Sequence, residues 1–320
     1  MRVLAADIGG TNARLAMVEL DGAVARITAE CSVPSREVQA LGVLLTSFVA
    51  SAGAPPERAC LGIAGPVIEG RISGTNLPWS VSEAELSEAL DLPGVRLIND
   101  FAAVGYGIPL LRDPDFLVLQ TGTPDPAGAL GLIGAGTGLG QGFVVRTGGA
   151  VVVQPSEGGH ATFTAETSRE WELVGFLRAR YGHVSQERVI SGPGLVDLYE
   201  FVGGLVARRE AAAAGLDPAA EITRRALAGE DPRAVEAVGL FLEAYGAAAG
   251  NLALTVLATG GVYLAGGVTR HLAAVLADGR LVAAFRRKGR LSGLLERIPV
   301  RAILNPDVGL LGAAAVAAAE

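Results

Sequence analysis

A chain of 320 residues, half of them hydrophobic but only 5% aromatic, is long enough for two domains with cores of aliphatic side chains. Its net charge of −7 argues against a duplex-DNA binder, which needs a basic face to neutralise phosphates. Its two cysteines, Cys31 and Cys60, lie in no CxxC pair and exclude both a disulfide framework and a zinc site built on cysteine.

The N-terminus reaches Asp7 before an apolar signal segment can form, so the cytoplasm is the expected compartment. Residues 3–8 read as a strand, Gly9-Gly10-Thr11-Asn12 as a tight turn, and 13–20 as the returning strand. A strand over 59–64 ends at Gly65-Pro66. A helix follows over 82–90, with Ser82 as N-cap and Glu85 three residues on completing a capping box. A strand over 95–98 stops at Asn99-Asp100, and the prolines at 109 and 114 suggest a domain boundary.

A second strand–turn–strand unit then appears: 130–133, the run Gly134-Ala135-Gly136-Thr137-Gly138-Leu139-Gly140, and 141–145. Two such units hint at duplicated halves. A loop with Glu157 and His160 comes next, followed by helices near 168–180, 193–213 and 233–258. The uncharged stretch 244–269 is long enough to consider as a membrane span. Its polar residues and the pair Gly260-Gly261 favour a buried helix, a glycine stop and a buried strand. Arg286-Arg287-Lys288-Gly289-Arg290 reads as a solvated surface loop rather than a phosphate patch. An apolar helix over 308–319 follows Asn305-Pro306-Asp307. The expected organisation is a small α/β domain over 1–110 plus 301–320 and a larger α/β domain over 111–300.

The glycine turns fail the common nucleotide signatures. No lysine is near for a Walker A loop, GxGxxG is out of register, and Lys288, the only lysine, cannot serve a protein-kinase strand. What remains is a phosphate site of backbone N–H groups and hydroxyls, from Gly9, Gly10, Thr11 and Asn12 and from Gly136, Thr137 and Gly138. Asp7, just before the first turn, can hold Mg²⁺ directly or through water. Either turn alone reads better as an ordinary tight hairpin, and it is the pair, with an acid just before the first, that shifts the balance toward a phosphate site.

Asp7-Ile8-Gly9-Gly10-Thr11-Asn12 resembles the first phosphate motif of the bacterial glucokinase family, within the hexokinase/actin-like superfamily. The run 134–140 is similar to its second phosphate motif, and Leu264-Ala265-Gly266-Gly267-Val268 to its adenosine motif. Leu97-Ile98-Asn99-Asp100-Phe101, Glu157-Gly158-Gly159-His160 and Glu187-Arg188-Val189-Ile190-Ser191-Gly192-Pro193-Gly194 resemble its sugar-site segments. All six motifs stand in the family's order.

The resemblance implies an actin/hexokinase-like (ribonuclease H-like) two-domain α/β fold that binds ATP with Mg²⁺ in an inter-domain cleft and closes on glucose. It implies Asp100 as the base for the sugar 6-hydroxyl, with Asn99, Glu157, His160 and Glu187 holding other hydroxyls. Thr11 and Thr137 would meet ATP phosphates, and Gly266 and Gly267 the nucleoside. A homodimer is expected, and neither nucleic acid nor a membrane as partner. A related branch, the repressor–open-reading-frame–kinase proteins, carries a cysteine-rich zinc motif after its ExGH segment. This chain has no cysteine beyond Cys60, so no zinc is expected, and with only six residues before Asp7 the helix-turn-helix of that branch's repressors is not expected either.

The chemistry suits these residue types. Phosphoryl transfer asks for positioning and charge neutralisation, and a sugar pocket needs acids as acceptors and amide or imidazole as donors. Local sequence alone reads Asp100 as a helix N-cap, Glu187-Arg188 as a surface pair and His160 as a loop histidine; the surrounding motifs favour function. Gly158-Gly159 would let Glu157 and His160 turn toward one ligand. Gly65-Pro66 and Thr75-Asn76-Leu77-Pro78-Trp79 are further candidate sugar-side loops. Two other readings stay open: a kinase for N-acetylglucosamine, mannose or fructose, and a sugar-binding regulator without transfer.

Overall fold

In the computed structural model, residues 1–22, 24–73, 79–147, 150–205 and 217–319 are described. The chain divides into two units: Met1–Asp115 with Val153–Pro155 and Asn305–Glu320, and Phe116–Val152 with Ser156–Leu304. The loop 74–78 lies outside the described residues.

The first unit carries β1 (Arg2–Ile8), β2 (Asn12–Asp21), β3 (Val24–Pro34), β4 (Arg58–Ile63), β5 (Arg71–Ser73), β6 (Ser80–Ser82) and β7 (Val95–Asn99). Five of these form one sheet in the order β3-β2-β1-β4-β7, while β5 and β6 pair separately. β1 is its centre, antiparallel to β2 and parallel to β4. Alternation along β1 sends its side chains to two cores. Leu4, Ala6 and Ile8 join Leu41, Leu45 and Phe48 on one face. Val3 and Ala5 meet Leu310, Ala313, Ala314 and Ala317 on the other.

Those last four belong to the C-terminal helix Val308–Ala319, which the sequence marks by its apolar run. Arg14 holds the entry to this helix, its guanidinium donating to the Pro306 carbonyl at 2.7 Å and to Asp307 at 2.5 Å. The helix Asp100–Gly107 packs against it. The two backbones approach so closely that a Cβ on Gly312 would overlap the Ala103 carbonyl, and one on Gly107 the Val308 carbonyl. The capping box at Ser82 is present as expected: Glu85 N–H donates to Ser82 Oγ, and Ser82 N–H to the Glu85 carboxylate.

The second unit repeats the plan. Its strands are β8 (Phe116–Gln120), β9 (Leu130–Ala135), β10 (Leu139–Thr147), β11 (Ala150–Ser156), β12 (Gly261–Ala265) and β13 (Val300–Ile303). The sheet runs β11-β10-β9-β12-β13-β8, with β9 antiparallel to β10 and parallel to β12. Each central strand thus ends in a glycine turn and returns antiparallel. The duplication hinted at by the glycine runs recurs as strand order.

The helix Pro232–Thr255 is long and apolar enough to cross a membrane by composition, yet 72% of its most apolar window is buried inside the protein. The glycine stop and β12 follow it as expected. Its fully buried Tyr245 places the hydroxyl 3.1 Å from the Ile133 carbonyl, 3.4 Å from that of Ala265 and 3.0 Å from Thr269 Oγ1. Burial pushes the phenol's ionisation well above its ordinary range, so it acts as a neutral hydroxyl tying the ends of β9 and β12 together.

Two expectations are corrected. The helix expected over 193–213 is interrupted after Gly192–Phe201, and the part of that expectation over 206–213 lies outside the described residues. Gly203, at φ +85°, and Gly204, where a Cβ would overlap the Tyr199 ring, stop it there. The basic run 286–290 is not simply a solvated loop. Arg286 donates to Gln120 Oε1 at 2.5 Å, and Arg287 pairs with Glu166 at 3.0 Å. The Lys288 side chain is only 7% exposed and lies 3.8 Å from the same carboxylate.

The glycine contact in the first unit is open to test by melting curves. Gly312→Ala should destabilise the protein by at least about 1–3 kcal/mol through overpacking. Gly293→Ala, whose Cβ would meet nothing within 4 Å, should cost nothing. Equal melting temperatures for the two variants would remove the close approach as a determinant of the fold.

Candidate active site

In the first unit the candidate groups stand at the carboxyl ends of neighbouring strands. Asp7 pairs in register with Arg14 on β2 and Gly62 on β4. Its carboxylate abuts the first turn of the C-terminal helix, since a Cβ on Gly309 would lie 2.8 Å from Asp7 Oδ2. A helix N-terminus favours a negative charge at that spot. The turn after Asp7 closes through Gly9 N–H to the Asn12 carbonyl at 3.0 Å. Ser35, only 2% exposed, braces it on both sides: Ser35 Oγ donates to the Gly9 carbonyl at 2.7 Å and Ser35 N–H to the Thr11 carbonyl at 2.9 Å. Thr11 and Asn12 are left exposed at the tip.

At the end of β7 the cap is Asn99 rather than Asp100. Asn99 Oδ1 accepts from the N–H groups of Phe101 and Ala102 at 2.9 and 3.0 Å, and Nδ2 donates to the Gly65 carbonyl at 3.1 Å. Asp100 is therefore the first residue of the helix, half-buried, with Oδ1 accepting from Phe101 N–H at 2.8 Å. The competition between cap and base that local sequence leaves open is divided between two residues. Asn99 caps, and so orients its neighbour.

In the second unit, Gly136 N–H donates to the Gly138 carbonyl at 2.9 Å, folding the turn with Thr137 exposed at its tip. Glu157 and His160 flank a single 3-10 turn, Gly158–His160, and approach to 3.7 Å, both largely exposed. The two glycines serve packing rather than freedom. A Cβ on Gly158 would overlap Gln141 Oε1, and one on Gly159 the Leu139 carbonyl.

Backbone bonds from Gln186 to Ala161 and from Phe163 to Val184, each 2.9 Å, bring this segment alongside the Gln186–Arg188 turn. Glu157, His160 and Glu187 thus share one neighbourhood. Glu187 Oε2 accepts from Leu139 N–H at 2.9 Å. Gly266 and Gly267 follow β12, whose Ala265 is in register with Gly134 on β9. The two loops leave adjacent parallel strands at their carboxyl ends, where open α/β sheets bind ligands.

Glycine answers to different needs at these positions. Gly266 sits at φ +96°, and a Cβ there would overlap the Ala135 carbonyl. Gly10 and Gly136 show neither demand: φ is ordinary, and among the described residues no atom lies within 4 Å of where a Cβ would stand. No group of three or more His, Cys, Asp or Glu arranged to hold a metal is present among the described residues. Mg²⁺ needs no such cage, because it commonly rests on one or two carboxylates, waters and substrate phosphates. Asp7 fits that pattern.

Sequence reading missed Ser35, Tyr245, Gln141 and Gln186. The last two share a bond from Gln141 Nε2 to Gln186 Oε1 at 2.9 Å. Only tertiary contact reveals them, since each pairs with backbone or side chain far along the chain.

Two sheets of matching strand order, each with a glycine turn after its central strand, mark an α/β fold of the actin/hexokinase-like class. Comparison with known proteins narrows this. The glucokinase family profile matches residues 4–320. A glucokinase from Nostoc punctiforme is 41% identical, covering 99% of this chain and 98% of that protein. The crystal structure of a glucokinase from an Antarctic psychrotroph superposes with a TM-score of 0.84 at 34% identity, covering 100% of this chain and 99% of that one. A ROK family glucokinase from Streptomyces griseus, solved with glucose and AMPPNP, shares the fold at TM-score 0.71 and 22% identity, covering 100% of each chain. The chain belongs to the glucokinase family.

The glycine assignments predict a split outcome. Gly10→Ala and Gly136→Ala should melt within a few degrees of wild type while binding Mg-AMPPNP more weakly. Gly266→Ala should lose stability by about 1 kcal/mol or more from its left-handed backbone and crowding. Calorimetric titration beside thermal melts checks this; wild-type nucleotide affinity in both turn variants would contradict it.

Proposed function

We propose that the chain transfers the γ-phosphoryl group of ATP to the 6-hydroxyl of D-glucose, with Asp100 as general base. The proton of the 6-hydroxyl passes to Asp100, the oxygen forms its bond to the γ-phosphorus, and ADP departs as the old bond breaks. A base in that position contributes roughly 10²–10⁴-fold. The observation that carries this reading is the Asn99 cap, which accepts the Phe101 and Ala102 N–H groups and so sets Asp100, whose Oδ1 shares the Phe101 N–H, at the head of its helix. Family membership over residues 4–320 supports the reaction class, and glucose and AMPPNP bound to the Streptomyces griseus protein support the ligand pair.

The remaining groups act by position. Glu157, His160 and Glu187 would accept from and donate to sugar hydroxyls, and the second N–H of Asn99 Nδ2 would be a further donor. The two turns, through Gly9, Gly10, Thr11 and Asn12 and through Gly136, Thr137 and Gly138, would offer backbone N–H groups and hydroxyls to ATP phosphates. Gly266 and Gly267 would pack on the nucleoside. Asp7 would hold Mg²⁺, directly or through water, and the ion when bound offsets charge on the phosphates.

Because the cap lies on Asn99, Asp100→Asn is a clean probe of chemistry. It should leave the helix intact and glucose affinity within about threefold, while turnover falls by roughly 10²–10⁴-fold. Binding calorimetry with steady-state ADP release measures both. Turnover near wild type would take Asp100 out of the reaction.

A further inference from the structure

The segment that carries Glu187 is tied to the second glycine turn at three points. Glu187 Oε2 accepts the Leu139 N–H at 2.9 Å, just after the turn. Gly192 N–H donates to the Gly136 carbonyl at 2.8 Å, at the start of the turn. Gln141 Nε2 donates to Gln186 Oε1 at 2.9 Å, two residues further along β10. Residues 186–192 therefore straddle Gly136-Thr137-Gly138 from one end to the other. The segment is itself fixed, since Ser191 Oγ donates to the Glu187 carbonyl at 2.7 Å and accepts from Gly194 N–H at 3.0 Å. The fit at the turn is close: a Cβ on Gly138 would stand 2.5 Å from Glu187 Oε2.

We infer that Glu187 is a positioning residue for the phosphate turn as well as a sugar-binding group. Resting on the function proposed above, this gives one carboxylate two duties. Oε2 fixes the Leu139 amide, and with it the direction of the N–H groups at 136–138, while Oε1 serves a sugar hydroxyl. Of the three ties, the one from Glu187 is charge-assisted, and such bonds are roughly twice as strong as neutral ones. Removing it should loosen the turn even when no sugar is present. A residue that only bound sugar could not affect nucleotide affinity under that condition.

The test is calorimetric titration of the full chain with Mg-AMPPNP in the absence of sugar, then with glucose alone. Glu187→Ala should weaken AMPPNP about tenfold, the order of one lost bond to a charged group. Glu187→Gln should stay within about threefold for AMPPNP, because its amide oxygen still accepts the Leu139 N–H. Glu187→Asp keeps the charge but withdraws the oxygens by one methylene, so it should also weaken AMPPNP about tenfold and carries the test if Glu187→Ala does not fold. Gly138→Ala should weaken AMPPNP in the Glu187 protein and cost less in the Glu187→Ala background, a non-additive cycle.

Wild-type AMPPNP affinity in both Glu187→Ala and Glu187→Asp, or losses from Gly138→Ala and Glu187→Ala that simply multiply, would overturn the inference. The glucose titration separates the two duties. If only glucose affinity falls, the turn role fails and the sugar role stands. If only AMPPNP affinity falls, the turn role stands and the sugar assignment of Glu187 fails.

Discussion

In each unit a central strand is held from both sides, antiparallel to the strand that returns from its own turn and parallel to a later strand. β1 lies between β2 and β4, and β9 between β10 and β12. That double pairing fixes where the strand stops, and the glycine turn begins at that point. Elsewhere in the site, side chains do the bracing. Ser35 holds the turn after β1, and the segment from Gln186 to Gly192 holds the turn after β9. An arrangement of backbone donors in which neither turn depends on a lysine suits a reaction that needs its charges placed more than it needs covalent help.

Absence of a Cβ does three separate jobs. At Gly107 and Gly312 it lets two helices meet backbone to backbone, and so seats the helix that begins at Asp100. At Gly158 and Gly159 it lets the Glu157–His160 turn lie flat on the start of β10. At Gly10 and Gly136 neither conformation nor packing calls for glycine, and open space stands where a side chain would be. Gly94, Gly175 and Gly293 share that openness, so it is the place of Gly10 and Gly136 in turns at the ends of the central strands that leaves their backbone N–H groups open to close approach.

The sequence makes legible what is local. Short continuous apolar runs mark β1, β4 and β9, the serine–glutamate spacing marks the capping box at Ser82, and the glycine turns stand out against their strands. β3 escapes because it is an edge strand with alternately exposed positions and several polar residues. The break after Phe201 is not legible because Val202 and Leu205 continue the apolar pattern around it, and only the crowding at Gly204 shows why the helix stops there. The candidate site residues are readable by type and by family likeness. Their division of labour is not. That Asn99 rather than Asp100 takes the cap depends on dihedral angles at one junction. That Glu187 grips Leu139 depends on contact across 48 positions of chain.

The proposed reaction puts Asp100 at the reacting oxygen, oriented by its neighbour's cap. The most direct measurement is a crystal structure of the protein with glucose and Mg-AMPPNP together. The glucose 6-oxygen should lie within about 2.6–3.2 Å of an Asp100 carboxylate oxygen, the reach required for proton transfer. The Asn99 bonds to Phe101 and Ala102 should be retained. A 6-oxygen directed at Glu157 or Glu187, with Asp100 beyond hydrogen-bond reach, would contradict that role.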